Sequence, residues 1–116
     1  MKVKGKEMSI WNNNNNKMYG VYAKYMKGEI KSFPTECPIC CRQEVHIFFY
    51  KWNVDDNKSS GWIWCSFCKN FEHGRFLNLN NGENLSEIDS QKLVYEPDYL
   101  ERNKKIIDKY NNLKIG

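Results

Sequence analysis

The residues best equipped for chemistry are two Cys-x-x-Cys pairs, Cys37-Pro-Ile-Cys40 and Cys65-Ser-Phe-Cys68, separated by 24 residues. Each such turn lets two thiolates converge on one ion, and two turns brought together complete a tetrahedron of sulfur. Four thiolates leave no open coordination position, so an ion held this way is structural rather than catalytic. The spacing predicts one structural zinc ion on Cys37, Cys40, Cys65 and Cys68. A fifth cysteine, Cys41, follows a pair that is already closed and reads as a small, partly buried hydrophobe or spare thiol. His73 lies five residues beyond Cys68. With four thiolates available, it is expected to hydrogen-bond a sulfur or to take no part, ahead of ligating the ion.

Redox chemistry competes for the same residues, because Trp64-Cys65-Ser66-Phe67-Cys68 has the form of a thioredoxin-type Trp-Cys-x-x-Cys. That chemistry wants its first cysteine at the N-terminus of a helix. The residues after Cys68 include Gly74 and alternate instead of recurring at helical spacing. Metal is the preferred reading, with a thiol redox or zinc-release sensor as an alternative. An odd number of cysteines and the lack of an export-type apolar run argue against a disulfide framework and for the cytoplasm. No nucleophile–base–acid set, phosphate-cradling glycine loop or open metal site is legible, so the expectation is a protein that is not an enzyme. His46, within a strand, reads as a packed side chain and not as a base.

The cysteine pairs need a hairpin to bring them together. Val45 to Trp52 is rich in β-branched and aromatic residues and reads as a strand, with Val45, Ile47 and Phe49 on one face and His46, Phe48, Tyr50 and Trp52 on the other. Both faces are apolar, so either both are covered or one presents a binding surface. A turn over Asn53 to Gly61, containing Asp55, Asp56 and Asn57, leads to a second strand, Trp62 to Cys65. A third strand, Phe71 to Leu79, ends at Asn80-Asn81-Gly82. Trp52, Trp62 and Trp64 could stack on bases, but alternate strand positions favour packing. Tyr50, Trp52 and Trp62 share a nominal face of two strands that should pair, which makes them the candidate anchors for a partner.

Around this hairpin, Asn12 to Asn16 reads as a polar loop. From Lys17 to Lys27, Met18, Tyr22, Tyr25 and Met26 approximate helical spacing behind a possible Asn16 cap, although Gly20 weakens the helix and an edge strand also fits. In the tail, Ser86 is placed to cap a helix over Ile88 to Val94. A second helix starts near Pro97 and runs through Leu100, Ile106, Ile107 and Tyr110, with Glu101 and Lys105 as an i,i+4 pair.

The two cysteine pairs and the hairpin between them resemble the zinc ribbon family, in which two knuckles clasp zinc at one end of a three-stranded sheet. The resemblance covers residues 36 to about 79. Knuckles of that family often place glycine after the second cysteine, where a positive φ is needed; here Cys41 and Lys69 stand in those positions, so a local departure is expected. The stretch Gly61-Trp-Ile-Trp-Cys-Ser-Phe-Cys-Lys-Asn-Phe-Glu-His-Gly74 is also similar to small bacterial zinc-ribbon proteins of toxin neighbourhoods, which implies an immunity-type partner protein. The resulting fold expectation is small α+β: a three-stranded antiparallel zinc ribbon (36–80), an N-terminal covering segment (1–35) and a C-terminal helical pair (81–116), in one compact unit.

Composition narrows the function classes. The chain has 116 residues, enough for one domain, of which 41% are hydrophobic and 15% aromatic. Small domains of this kind often add a metal to stay folded. Asn runs and a preference for Lys over Arg suit an AT-rich, bacterial genome. The net charge of +4 is unevenly spread: residues 1–31 carry +5, residues 32–79 are neutral and residues 80–116 carry −1. A nucleic-acid reader usually concentrates its cations on the docking module. A neutral, aromatic-rich cysteine module instead matches a protein-interaction surface, with an immunity protein as one form of it. Nucleic acid is the runner-up partner, favoured by the basic leading segment. Neither a membrane nor a small-molecule substrate is implied.

Overall fold

Alternation of large apolar residues builds the centre of the molecule. The computed structural model describes residues 10–53, 57–77 and 84–115. Three long antiparallel strands, β3 (Gln43–Tyr50), β4 (Lys58–Cys65) and β5 (Asn70–Leu77), carry a short strand at each edge. At one edge β2 (Thr35–Glu36) pairs antiparallel with β3; at the other β1 (Asn12–Asn13) pairs parallel with β5. The order is β1-β5-β4-β3-β2. Helix α1 (Asn15–Met26) precedes the long strands, and a single 3-10 turn (Ser90–Lys92) leads into α2 (Asp98–Arg102) and α3 (Lys104–Ile115).

This overturns the three-stranded ribbon expectation. The fold is small α+β, but its sheet is five-stranded and mixed. The polar Asn12–Asn16 run, expected as a loop, supplies both the parallel edge and the start of a helix. Asn12 N–H donates to the Lys69 carbonyl (2.8 Å) and Asn14 N–H to the Phe71 carbonyl (2.8 Å). Backbone pairing needs no apolar side chain, so hydrophobic patterning could not reveal it. Of the two readings of Lys17 to Lys27, the helix holds, with Asn14 and not Asn16 at its N-cap.

The tail also departs from expectation. Instead of a helix over Ile88 to Val94 there is the 3-10 turn, capped by Asp89, whose carboxylate accepts from Gln91 N–H (3.0 Å). Leu93 turns extended, and the Val94 carbonyl accepts from the indole of Trp62 (2.9 Å). The second expected helix breaks at Asn103, so Glu101 pairs with Lys104 (3.0 Å) and not with Lys105. The third strand is described to Leu77, and the expected turn residues Asp55, Asp56, Asn80, Asn81 and Gly82 lie outside the described residues, as does Leu79.

Both faces of the sheet are covered. On one, Val45, Ile47, Phe49, Ile63, Cys65 and Phe76 pack under Met18, Val21 and Tyr22 of α1. On the other, Phe48, Trp62, Trp64 and Phe71 pack under Leu100 of α2, Ile107 of α3 and the Leu85 and Ile88 segment. Register sorts the faces: Val45 stands opposite Cys65 and Ile47 opposite Ile63, while His46 pairs with Trp64 and Phe48 with Trp62. The uncovered flank of β3 is met by asparagine amides. The Asn111 amide donates to the Ile47 carbonyl (2.6 Å), and Asn84 both accepts from Lys51 N–H and donates to the Lys51 carbonyl (2.8 Å each). Side-chain amides thereby replace a missing strand and blunt an edge that would otherwise invite pairing.

Gly61 sits opposite Phe49 and Gly74 on the α1 face. A Cβ there would come 2.5 Å from Phe76 Cδ2 and 2.9 Å from two atoms of the Phe49 ring. Glycine is therefore required by the closing of two aromatic rings over the strand. Gly61→Ala should lower unfolding stability by about 1–3 kcal/mol, read by denaturant titration, because the rings must shift in a packed core.

On the same face Glu72 stands opposite Ile63 with only 8% of its surface exposed, and its Oε1 has no hydrogen-bond partner among the described residues. Burial pushes its pKa up to about 7 from the ordinary 4.5. The folded chain then holds a proton that the unfolded chain releases, so stability falls as pH rises from about 4.5 to about 7. Glu72→Gln should remove this loss. Its stability advantage over the parent should grow across that window and level off above it, in thermal melts of the two chains under the same metal conditions.

Candidate metal centre

The cysteine cluster is assembled by the two turns at one end of β3 and β4. Cys37 follows β2, Cys65 ends β4, and the second turn, Ser66–Cys68, feeds β5. The turns are built alike. Cys41 N–H donates to the Cys37 carbonyl (2.9 Å), and Lys69 N–H to the Cys65 carbonyl (3.0 Å). Backbone amides also approach sulfur: Ile39 N–H to Cys37 Sγ (3.4 Å) and Cys68 N–H to Cys65 Sγ (3.5 Å). The local departure expected from the missing glycines does not occur in the backbone. Cys41 has φ 67° and Lys69 has φ 63°, so two non-glycine residues adopt the left-handed conformation the turn requires. Each does so at a cost of about 1 kcal/mol or more.

All four sulfurs lie within 4.8 Å of one another. Cys37 Sγ to Cys68 Sγ and Cys40 Sγ to Cys65 Sγ are each 3.7 Å. A metal–sulfur bond of about 2.3 Å sets the edge of a sulfur tetrahedron at about 3.8 Å. The closest sulfur pairs therefore join one turn to the other at the spacing a shared tetrahedral ion needs. They stand too far apart for disulfides, whose S–S bond is about 2.05 Å. The donor set is soft, closed and suited to a tetrahedral thiolate ion.

Electrostatics within the cluster are uneven. Burial raises the thiol pKa of Cys37 and Cys65. Burial acts the same way on Cys68, but hydrogen bonds from the side chain and backbone of Asn70 and from the neighbouring thiols outweigh it and bring its pKa to about 7. The Asn70 amide lies 3.2 Å from Cys68 Sγ. Asn70, the first residue of β5, is a supporting contact that the sequence reading did not single out.

Cys41 is exposed and stands outside the sulfur cluster. His73 is also outside it. Its ring stacks on Trp62 at 4.3 Å and 11°, and burial lowers its pKa. His46 is 2% exposed and occupies the centre of a polar network. Its Nδ1 faces both carboxylate oxygens of Asp108 (2.8 and 2.9 Å), and its Nε2 faces Ser66 Oγ (2.8 Å). Ser66 Oγ in turn donates to Glu101 Oε1 (2.7 Å) and accepts from Lys104 Nζ (3.2 Å). Burial works against ionisation of Glu101, but bonds from Ser66, Lys104 and Trp64 hold its pKa below the usual value. This network fastens the second cysteine turn to α2 and α3. Sequence reasoning missed it, because Ser66, His46, Glu101 and Asp108 come from four elements with no shared motif.

The proposed partner anchors are separated by the fold. Trp62 is 1% exposed, held under the α2–α3 layer, and unavailable at the surface. Tyr50 is half-buried, and only Trp52, at 57% exposure, stands open, with Tyr50 against it edge-on at 4.7 Å. Trp64 is core as well. The thioredoxin-like reading also loses its geometry, since Cys65 ends a strand and is followed by a turn, not a helix.

Replacing Cys37, Cys40, Cys65 or Cys68 by Ser should abolish stoichiometric metal binding and unfold the end of the sheet that carries them, measured by metal analysis and circular dichroism. Cys41→Gly should keep the metal and leave stability equal or up to about 1 kcal/mol higher, because glycine adopts φ 67° without strain. Metal loss in Cys41→Gly would reassign the ligand set.

No family model, curated protein or solved structure matches the chain, so the assignment of a four-cysteine metal centre rests on these residues and their geometry.

Proposed function

We propose that the chain is a non-enzymatic zinc protein in which one structural ion fixes a surface for a protein partner. The observation that carries the metal half is the convergence of four sulfurs within 4.8 Å, with cross-turn pairs at 3.7 Å. Zinc suits a closed tetrahedral thiolate set, and four protein ligands leave no position for substrate or water. When bound, the ion supplies cross-linking and charge neutralisation, and the chemistry of the surrounding residues is to hold it. Asn70 orients Cys68, while the left-handed residues Cys41 and Lys69 close the turns.

The partner half is supported by what the core has absorbed. Trp62 and Trp64, two of the three tryptophans that could have stacked on bases, are buried. Large apolar side chains remain exposed elsewhere, including Trp52, Phe67, Tyr95, Ile106 and Leu113. An immunity protein that neutralises a toxin by binding it is the form of this reading that the resemblance implies. The chain would act in the cytoplasm.

Native mass spectrometry should give one zinc per chain, and cobalt substitution should give the absorption of a tetrahedral thiolate site. A protein partner captured by the zinc-loaded chain should stay bound through a salt series and be lost with Cys65→Ser. Captured nucleic acid with a steep salt slope would overturn the partner class. A chain that keeps its near-ultraviolet circular dichroism in chelator would overturn the structural role of the metal.

A further inference from the structure

Helix α3 divides its residues by chemistry. Its inward side holds Ile107 and Asn111, both buried, and its one acidic residue, Asp108, which is turned onto His46. Its outward side carries Lys105, Lys109 and Lys114, interleaved with Ile106 at 42% exposure and Leu113 at 74%. No carboxylate pairs with these lysines among the described residues; Lys114 Nζ lies 5.2 Å over the ring of Tyr110. The apolar residues are not scattered. Ile106, Tyr110 and Leu113 recur at i, i+4 and i+7 on one side of the helix, and across from them stands Leu85. Between them runs a groove of about 340 Å³, lined by Leu85, Glu87, Ile106, Lys109, Tyr110 and Leu113.

We infer that this groove is a docking site for an acidic amphipathic helix of a partner protein, inserting apolar side chains between Leu85 and the Ile106–Leu113 row while its carboxylates meet Lys105, Lys109 and Lys114. Charge complementarity selects the occupant. Glu87 is the one carboxylate of the groove wall and Lys109 its one cation, but Lys105 and Lys114 add exposed cations on α3 beyond the lining. With Asp108 turned onto His46, cations outnumber anions, and an apolar row flanked by carboxylates on its α3 side matches both the cations and the apolar lining. Seven residues of α3 span about 10 Å, roughly two turns of a facing helix. Tyr110 is the one aromatic ring of the lining and already carries Lys114 over it, which disfavours nucleic acid, whose bases stack on open aromatic planes. This site deepens the protein-partner reading given above and rests on it.

The test is selection of helical peptides, from a library randomised on one face, against the full zinc-loaded chain, followed by synthesis and titration of the enriched peptides. Enriched sequences should carry Asp and Glu flanking apolar residues at i, i+4 and i+7. Their affinity should fall at least tenfold on Leu113→Asp or on Lys109→Glu, and stay unchanged on Trp52→Ala. Leu113 and Lys109 are exposed, so both variants should keep the parent circular dichroism. Enrichment without acidic character, or binding insensitive to Leu113→Asp, overturns the site. So does tighter binding of oligo-dT or of phosphatidylserine vesicles that depends on the same lysines but not on Leu113. Peptides that depend on Trp52 would preserve a protein-partner role while removing this groove. Acidic peptides that bind a chain shown by mass spectrometry to hold no zinc would preserve the groove while removing the metal.

Discussion

The pairing of β3 with β4 is the constraint on which the other features depend. Placing Val45 opposite Cys65 brings the chain just after Cys40 against the start of the second turn, where Ser66 N–H donates to the Glu44 carbonyl (2.9 Å). A slip of one residue would exchange the faces of β4, sending Cys65 and Ile63 to the side of Trp62 and Trp64. The sulfur cluster would then have no geometry, and α1 would meet indoles in place of Ile63. Sulfur convergence and the division of the core into two layers are thus consequences of a single register.

That register also explains why so small a chain needs elements on both sides of its sheet. β4 is buried on both faces, with Ile63 and Cys65 under α1 and Trp62 and Trp64 under the C-terminal layer. Each indole N–H must find an acceptor once water is removed. Trp62 finds the Val94 carbonyl (2.9 Å), and Trp64 finds Glu101 Oε1 (2.9 Å). These acceptors help to explain the irregular tail. The extended segment after the 3-10 turn carries the Val94 carbonyl to Trp62.

The legible part of the sequence was what spacing and alternation encode: the two Cys-x-x-Cys turns, the strand through Val45 and Phe49, and the periodic Met18 to Met26 helix. Features that rest on backbone or on long-range polar pairing were not legible. Asn12 and Asn13 join the sheet through main-chain groups alone, which no side-chain pattern reports. The amides of Asn84, Asn111 and Asn112 satisfy the backbone of Lys51, Ile47 and Phe33, long-range partners that no local pattern in the sequence announces. Trp62 was assigned to the right face of the right strand. That face is covered by Leu85, Ile88, Leu100 and Ile107; the last three lie on segments read as helical, but nothing in their spacing says which face of the sheet they meet.

The network around Ser66 has the outward order of a serine–histidine–aspartate relay, and its hydrogen count assigns it a different task. Ser66 Oγ carries one hydrogen and lies within bonding distance of His46 Nε2, Glu101 Oε1 and Lys104 Nζ. Lys104 has only donors, so it occupies one lone pair of the oxygen. Glu101 is ionised and also accepts from Trp64, so the Ser66 hydrogen is directed to it. His46 lies between Ser66 and Asp108, with Nε2 2.8 Å from Ser66 Oγ and Nδ1 2.8 and 2.9 Å from the two Asp108 carboxylate oxygens. A relay base has to accept the serine hydrogen through Nε2, and here that hydrogen lies on the bond to Glu101. The oxygen that would attack is committed to three neighbours. What the arrangement does supply is stiffness: it ties the turn holding Cys65 and Cys68 to α2 through Glu101 and to α3 through Lys104 and Asp108. Shape at the end that carries the sulfur cluster and shape at the lysine-bearing helix are thereby set by the same few side chains.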